Sequence, residues 1–438
     1  MTLSNVTKSQ PSEPRTRILF WTLAIAATTA LLFLRRPDAV LHAQFWAEDG
    51  VVWFADAYNF GPLNALLRAR DGYLQTLPRL ACAAALWVPL LYAPLVTNLI
   101  ALVIEALPPL FLVSSRMRNL GPLSLRCVLA LLVLFVPDSS EVHAAITDSE
   151  FQMAVLACLI IIAEVPRSWV GRVFDIIVLA LFALTGPFCV LLLPVALLRT
   201  LAPVLAHRHY LDRSPRPERW RWIQISLLAT GGLAQGLTVL TAAGARLNTT
   251  LGASLTKFIH IVGGQLVLPL FVGTNRLYDI SDDLRKVTLV ASVLAIAALL
   301  AFGYGLVDGS LELRCFILFA LLVFTAAMVY PTIEPIDNQW DVFLGPGLGL
   351  RYWYLPRLAL MATLVWLLGR GRPAAIRMLA GVLACIMGIS LVIHWRYKAL
   401  PDFHFESYVR VFEQLPSGAT GQFRLNPGGP WIMELVKK

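Results

Sequence analysis

Residues 18–34 read ILFWTLAIAATTALLFL, and after a short polar stretch the chain continues Phe45-Trp46-Ala47-Glu48-Asp49-Gly50. The first run is uncharged and, at 1.5 Å per residue, long enough to cross most of a bilayer's hydrocarbon. No small-residue cleavage site follows it, so it reads as an anchor and not as a signal peptide. The second run puts two adjacent carboxylates beside a lipid-like segment. Burying a carboxylate near hydrocarbon costs several kcal/mol unless a cation, a metal or a reacting proton compensates it, so the pair reads as functional.

Composition extends this reading to the whole chain. Hydrophobic residues make up 58% of the 438 and charged residues 14%, where a soluble domain carries roughly 25% charged residues. The net charge of +9 comes from short basic clusters between apolar runs, the pattern of cytoplasmic loops, so nucleic acid is not an expected partner. Cys82, Cys127, Cys158, Cys189, Cys315 and Cys385 fall inside apolar segments without CxxC spacing. They read as small core residues.

Further apolar segments run near 74–92, 95–115, 123–136, 150–165, 173–185, 187–206, 222–243, 257–275, 287–307, 315–330, 353–370 and 374–394. The arginine-rich stretches Arg116–Arg126, Pro166–Arg172, His207–Arg221 and Gly369–Arg372 should all be cytoplasmic, as should the basic N-terminal arm 1–17. These placements agree only if 74–92 and 257–275 do not cross. The first carries Pro78 and Pro89, the second Gly263-Gly264-Gln265 and Pro269, and both suit juxtamembrane or re-entrant helices. The expectation is an all-α polytopic membrane protein of about eleven transmembrane helices over 18–394, with the N-terminus cytoplasmic and a tail 395–438 on the opposite face. Arg35 and Arg36 weigh weakly against that orientation.

Four polar segments then share the outer face: 35–73, 137–149, 331–352 and the tail. In the first, Glu48 and Asp49 are followed by Asp56, Arg70, Asp71, Tyr73 and Arg79. A carboxylate there can take a proton from a sugar hydroxyl or ligate a divalent metal. The rings of Phe45, Trp46, Trp53 and Phe54 suit an amphipathic surface helix at the interface. The second supplies Asp138, Glu141, His143, Asp148 and Glu150, with Asp148 and Glu150 as metal ligands or orienting groups. The third ends Arg351-Tyr352-Trp353-Tyr354-Leu355-Pro356-Arg357: a guanidinium for a lipid-linked phosphate, rings for an isoprenoid or sugar, or else arginines snorkelling to headgroups. Glu105 and Asp175 lie within spans and raise the alternative of a proton-coupled flippase or transporter, although no paired broken helices accompany them. The turn-rich Asn426–Trp431 stretch suits a small hairpin plug.

A first span, an outer loop with an acidic pair, many further spans and an outward polar tail resemble the GT-C superfamily of integral-membrane glycosyltransferases. Phe45–Gly50, Asp71-Gly72-Tyr73-Leu74, Arg351-Tyr352-Trp353 and Asn426–Trp431 are similar to motifs of a bacterial group within it. The resemblance implies sugar transfer from a polyprenyl-phosphate donor, at the periplasmic face of the inner membrane, to an envelope glycan, lipid or protein. It implies Asp49 as catalytic base or acceptor-binding group with Glu48 beside it, Arg351 and Arg357 on the donor phosphate, and Asp71, Tyr73, Asp148, Glu150 and Tyr352 around the substrates. Some relatives use a divalent metal such as Mg or Mn, for which Asp49, Asp148 and Glu150 are the candidate ligands, and others use none. The chain has no Trp-Trp-Asp motif and no large C-terminal domain, so oligosaccharide transfer to asparagine is not expected. A glycan polymerase is a further alternative.

Overall fold

The computed structural model describes residues 14–70, 72–207, 218–241, 250–273, 284–331, 338–345, 347 and 349–438. The N-terminal arm up to residue 13, Asp71 and residues 332–337 of the third expected outer loop therefore lie outside the described residues. The protein is an all-α polytopic membrane protein. Among the described residues, seven helices are long and apolar enough to cross a membrane: Arg15–Arg35, Leu90–Val113, Arg219–Thr241, Leu255–Val272, Thr288–Asp308, Leu311–Val329 and Ala374–His394. The apolar helices Leu123–Leu134, Ser149–Ile162 and Phe188–Pro203 are shorter.

The helix Ser149–Ile162 is the innermost. Its sequence, SEFQMAVLACLIII, is apolar on every side after its first turn, and every residue except Glu150 is buried, as expected of a helix surrounded by others. The helices Leu311–Val329 and Leu350–Leu367 pack against each other and against this central rod. The helix Pro14–Arg35 lies at the periphery with Ile18, Leu19 and Leu23 exposed, which suits a helix facing lipid. Cys82, Cys158, Cys189 and Cys315 are buried and unpaired, as their apolar settings predicted, whereas Cys385 is exposed.

The two segments expected not to cross behave differently. Thr76–Ala85 is a helix of only 10 residues, too short for a crossing. Leu255–Val272, in contrast, is a continuous helical run with the length and apolarity of a span, its middle formed by a π-helical stretch, Ile261–Val267. The glycine read as a break has another purpose. A Cβ on Gly263 would lie 2.1 Å from the backbone oxygen of Ala291, so the glycine allows close approach to the helix Leu284–Asp308.

The tail folds onto the first loop. The helix Phe405–Glu413 packs on an antiparallel hairpin, Thr420–Arg424 with Ile432–Val436, so the expected hairpin is present with Asn426–Trp431 in its connection. Phe45, Trp53 and Phe54 are buried and not spread along an interface. Phe45 meets Phe54 and Phe405, and Phe405 meets Phe423. The aromatic run is thus the core of a loop-and-tail module, which explains its apolarity better than a membrane belt.

Candidate functional site

The loop-and-tail end of the molecule is organised by buried cations. Arg35, at the end of the first helix, donates to the carbonyls of Leu134 and Val136 and to the Tyr397 hydroxyl. Arg36 donates to the carbonyl of His143 at 2.8 Å. Arg357 gives its guanidinium to the carbonyls of Pro137 and Asp138, to the Asp138 carboxylate at 2.9 Å and to the carbonyl of Gln265. These three arginines hold the connection 135–148, which contains most of the second loop, against the helices and the tail. Arg357 is fully buried in this clamp, so the structure gives it a scaffolding position in place of the expected phosphate contact.

The adjacent carboxylates of the first loop diverge. Asp49 is completely buried and faces the second loop. It accepts hydrogen bonds from Ile146 N at 3.0 Å, from Thr147 N at 2.8 Å and from the Thr147 hydroxyl at 2.6 Å. Trp53 Nε1 donates to the same hydroxyl at 2.6 Å. Burial pushes the Asp49 carboxyl up to about 7, against the opposing pull of those donors. Its neighbour Glu48 is half-buried and lines a cavity.

A strained link precedes the pair. Ala47 has φ 35°, a region that L-residues with a Cβ avoid. Its N–H donates to the Asn426 carbonyl of the tail at 2.6 Å, and a Cβ on Gly50 would lie 2.3 Å from Leu425 Cδ1. The motifs 45–50 and 426–431, far apart in sequence, therefore form one structure in which the hairpin connection holds the backbone between Trp46 and Gly50.

The cavity has a volume of about 370 Å³. Its polar wall carries Glu48, Tyr73, Asp148, Glu150, Arg351 and Tyr352, which sequence reading proposed, together with Arg70, Gln75 and Thr147, which were not assigned to the substrates. Arg351 binds Glu141 through its backbone N–H at 3.0 Å, and its side chain lies 3.6 Å from Glu141 and 4.0 Å from Asp148. Burial pushes the Asp148 carboxyl well up, with Arg351 opposing the shift. Glu150 accepts from Gln75 Nε2 at 3.3 Å. Gly186 makes room for it: φ is +72° and a Cβ there would fall 2.2 Å from Glu150 Oε2. Apolar side chains from two helices and their ends complete the lining: Phe188, Val190 and Leu191 from one, Val323, Ala326 and Ala327 from the other.

Placement of the remaining candidates is equally plain. Asp71 lies outside the described residues. Asp49, Asp148 and Glu150 do not converge: among the described residues no group of three His, Cys, Asp or Glu side chains is arranged to hold a metal ion, and both oxygens of Asp49 already accept protein donors. This arrangement does not fit the expected metal set. Glu105 is bonded to His143 Nδ1 at 3.0 Å, and Asp175 is held by Arg116, Trp220 and Gln224. Gln75 and Thr147 adjoin noted motifs, which is the signal that would have found them. The fold and this cavity define a polytopic membrane protein with a polar, charged chamber walled partly by apolar helices.

No protein-family model matches the chain, and no curated protein matches it. Among solved structures it is similar to the crystal structure of the Archaeoglobus fulgidus oligosaccharyltransferase in the apo form, at 12% sequence identity and a TM-score of 0.46. That match covers 93% of this chain and 59% of the archaeal one, so the chain spans less than two thirds of the length of the protein it matches.

Proposed function

We propose that the chain is a membrane glycosyltransferase moving a sugar from a polyprenyl-phosphate donor to an envelope glycan, lipid or protein acceptor, with inversion at the anomeric carbon. The observation that carries this reading is the mixed polar and apolar lining of the cavity. Carboxylates and Arg351 line it together with apolar side chains from the ends of two helices, a mixed lining that suits a substrate with a polar head and a hydrocarbon chain. The motif resemblance to GT-C enzymes points the same way.

Glu48, the carboxylate of the pair that reaches the cavity, takes the proton of the acceptor hydroxyl as its oxygen attacks the anomeric carbon. The new C–O bond forms while the bond to the phosphate oxygen breaks, and polyprenyl phosphate leaves with the electron pair. Arg351 meets the charge growing on that leaving group. Glu150, held by Gln75, and Asp148, beside Arg351, present oxygens to sugar hydroxyls, with Tyr73 and Tyr352 alongside. Asp49 acts behind this wall by holding the second loop.

The transport reading would give Glu105 and the span-facing arginines the main work. Glu105 is committed to His143 and Arg357 to Asp138, so that reading gains no support from geometry. The deciding experiment is mass spectrometry of envelope glycans and lipids from cells lacking the protein, rescued with the native chain, Glu48→Gln or Asp49→Asn at matched expression. Native rescue by one sugar unit, with failure of Glu48→Gln, supports the proposal. Equal rescue by Glu48→Gln refutes this assignment of the base, and a ladder of products would indicate a polymerase.

A further inference from the structure

A second concavity, about 480 Å³ in volume, lies at the opposite end of the same helices. Leu112, Leu125, Leu129, Val155, Leu159, Phe316 and Trp366 are among its lining residues. The polar side chains within it are already committed: Ser310 Oγ accepts from Leu313 N at 3.3 Å, capping its helix, and Glu312 is bound by Asn119 at 3.1 Å and Arg199 at 3.4 Å. What remains is a surface suited to hydrocarbon.

Cations gather where this groove ends. The Arg372 guanidinium lies 3.7 Å from the centre of the Trp366 ring, one of the groove's own walls, and 3.7 Å from the exposed Asp308 carboxylate. Arg370 is exposed in the turn that follows the lining residue Gly369, and Arg118 is exposed beside the lining residue Leu120. Arg314 folds back on the carbonyls of Gly309 and Val307. A basic mouth on an apolar groove between apolar helices is the pattern that recognises an anionic lipid head with its chain.

We propose that this groove is a binding site for one acyl chain of an anionic phospholipid from the leaflet on the arginine-rich side, with its phosphate held among Arg118, Arg370 and Arg372. The site is separate from the cavity assigned to transfer, and its test needs no transferase assay. The full chain is reconstituted in nanodiscs containing equal phosphatidylglycerol and phosphatidylcholine, re-extracted, and its retained lipid is counted by native mass spectrometry. The expected result is one retained phosphatidylglycerol, preferred over phosphatidylcholine by about tenfold, equivalent to about 1.4 kcal/mol. Ala362→Trp, which fills the groove, should abolish retention, whereas the Arg370→Gln, Arg372→Gln double variant should keep a lipid but lose the preference for phosphatidylglycerol.

Should Ala362→Trp fail to fold, phosphatidylglycerol carrying a diazirine on its acyl chain labels the native chain instead. Adducts on peptides containing Leu125, Phe316 or Trp366 support the site. Equal retention of the two lipids by the native chain, retention unchanged in Ala362→Trp, or adducts confined to other peptides would overturn it.

Discussion

Two concavities share three helices and differ in almost everything else. Ser149–Ile162, Leu311–Val329 and Leu350–Leu367 line the polar cavity with Glu150, Phe151, Val323, Ala327 and Arg351, and line the apolar groove with Val155, Leu159, Phe316, Leu358 and Trp366. The difference follows the position along each helix and what the adjoining segments contribute. At one end the first loop adds Glu48, Tyr73 and Gln75 and the second adds Thr147 and Asp148. At the other, short connections add leucines inside and arginines outside. The shared helices supply a common apolar frame, and the loops decide whether it accepts a reacting head group or only a chain.

The variant expected to separate the two ends most sharply is Glu48→Gln. Glutamine keeps the shape and cannot take a proton, so transfer should fall by about a hundredfold or more, the usual contribution of a general base. Retention of phosphatidylglycerol in the apolar groove should stay at its native level. Transfer measured with purified chain and a synthetic lipid-phosphate sugar would check it, and a native rate in Glu48→Gln would take Glu48 out of the chemistry.

Arg351→Lys comes next. The charge is retained and the planar fork lost, so about a tenfold loss is expected where a bidentate hold on phosphate matters. Steady-state kinetics should place much of that loss in the KM for the lipid-phosphate donor, with a smaller change for the acceptor. A change confined to the acceptor would move Arg351 to the other substrate.

Asp49→Asn tests the scaffold behind the polar wall. With its carboxyl pushed up to about 7 from an ordinary 3.8, the folded chain holds a proton there between roughly pH 4 and 7 that the unfolded chain has released. The proton-linked contribution of Asp49 is therefore complete below pH 4 and is lost as pH rises toward 7. Asparagine removes that slope and turns an amide N–H toward one of the donors from 146–147, at a cost of about 1–3 kcal/mol. The native chain should be the more stable near pH 5, with the gap narrowing toward pH 8. Thermal unfolding in detergent across that range checks the sign, and parallel curves would contradict the assignment.

Much of the fold was legible because bilayer-crossing helices must be long, apolar and flanked by charge, all of which appears in a single linear sequence. The cavity's membership was legible too, since carboxylates and arginines near lipid demand explanation: Glu48, Asp148, Glu150, Arg351 and Tyr352 do meet there. Direction was not legible. Asp49 and Glu48, like Arg357 and Arg351, are told apart by where each side chain is turned and by its depth, and that depends on the connection 135–148 and the tail. The glycine at 263 is ambiguous for a similar reason, because close packing against Ala291 and a broken helix leave the same residue in the sequence.

The smallest expected effect comes from the strained residue between the acidic pair and the tail. Glycine occupies positive φ without the cost a Cβ incurs, but it also loosens the unfolded chain, and the two effects offset to within about 1 kcal/mol. Ala47→Gly should therefore shift Tm by only a few degrees and leave transfer within about threefold of native, because the hydrogen bond from residue 47 to Asn426 uses the backbone alone. Ala47→Val should do worse on both counts, since a β-branched side chain at φ 35° is a true outlier. It would displace the peptide that aims Glu48 while leaving the apolar groove, at the far end of the shared helices, with its lipid retention intact. If Ala47→Val instead matched Ala47→Gly in both Tm and rate, the tail's hold on that peptide would have no part in aiming Glu48, and the two ends of the molecule would differ by their side chains alone.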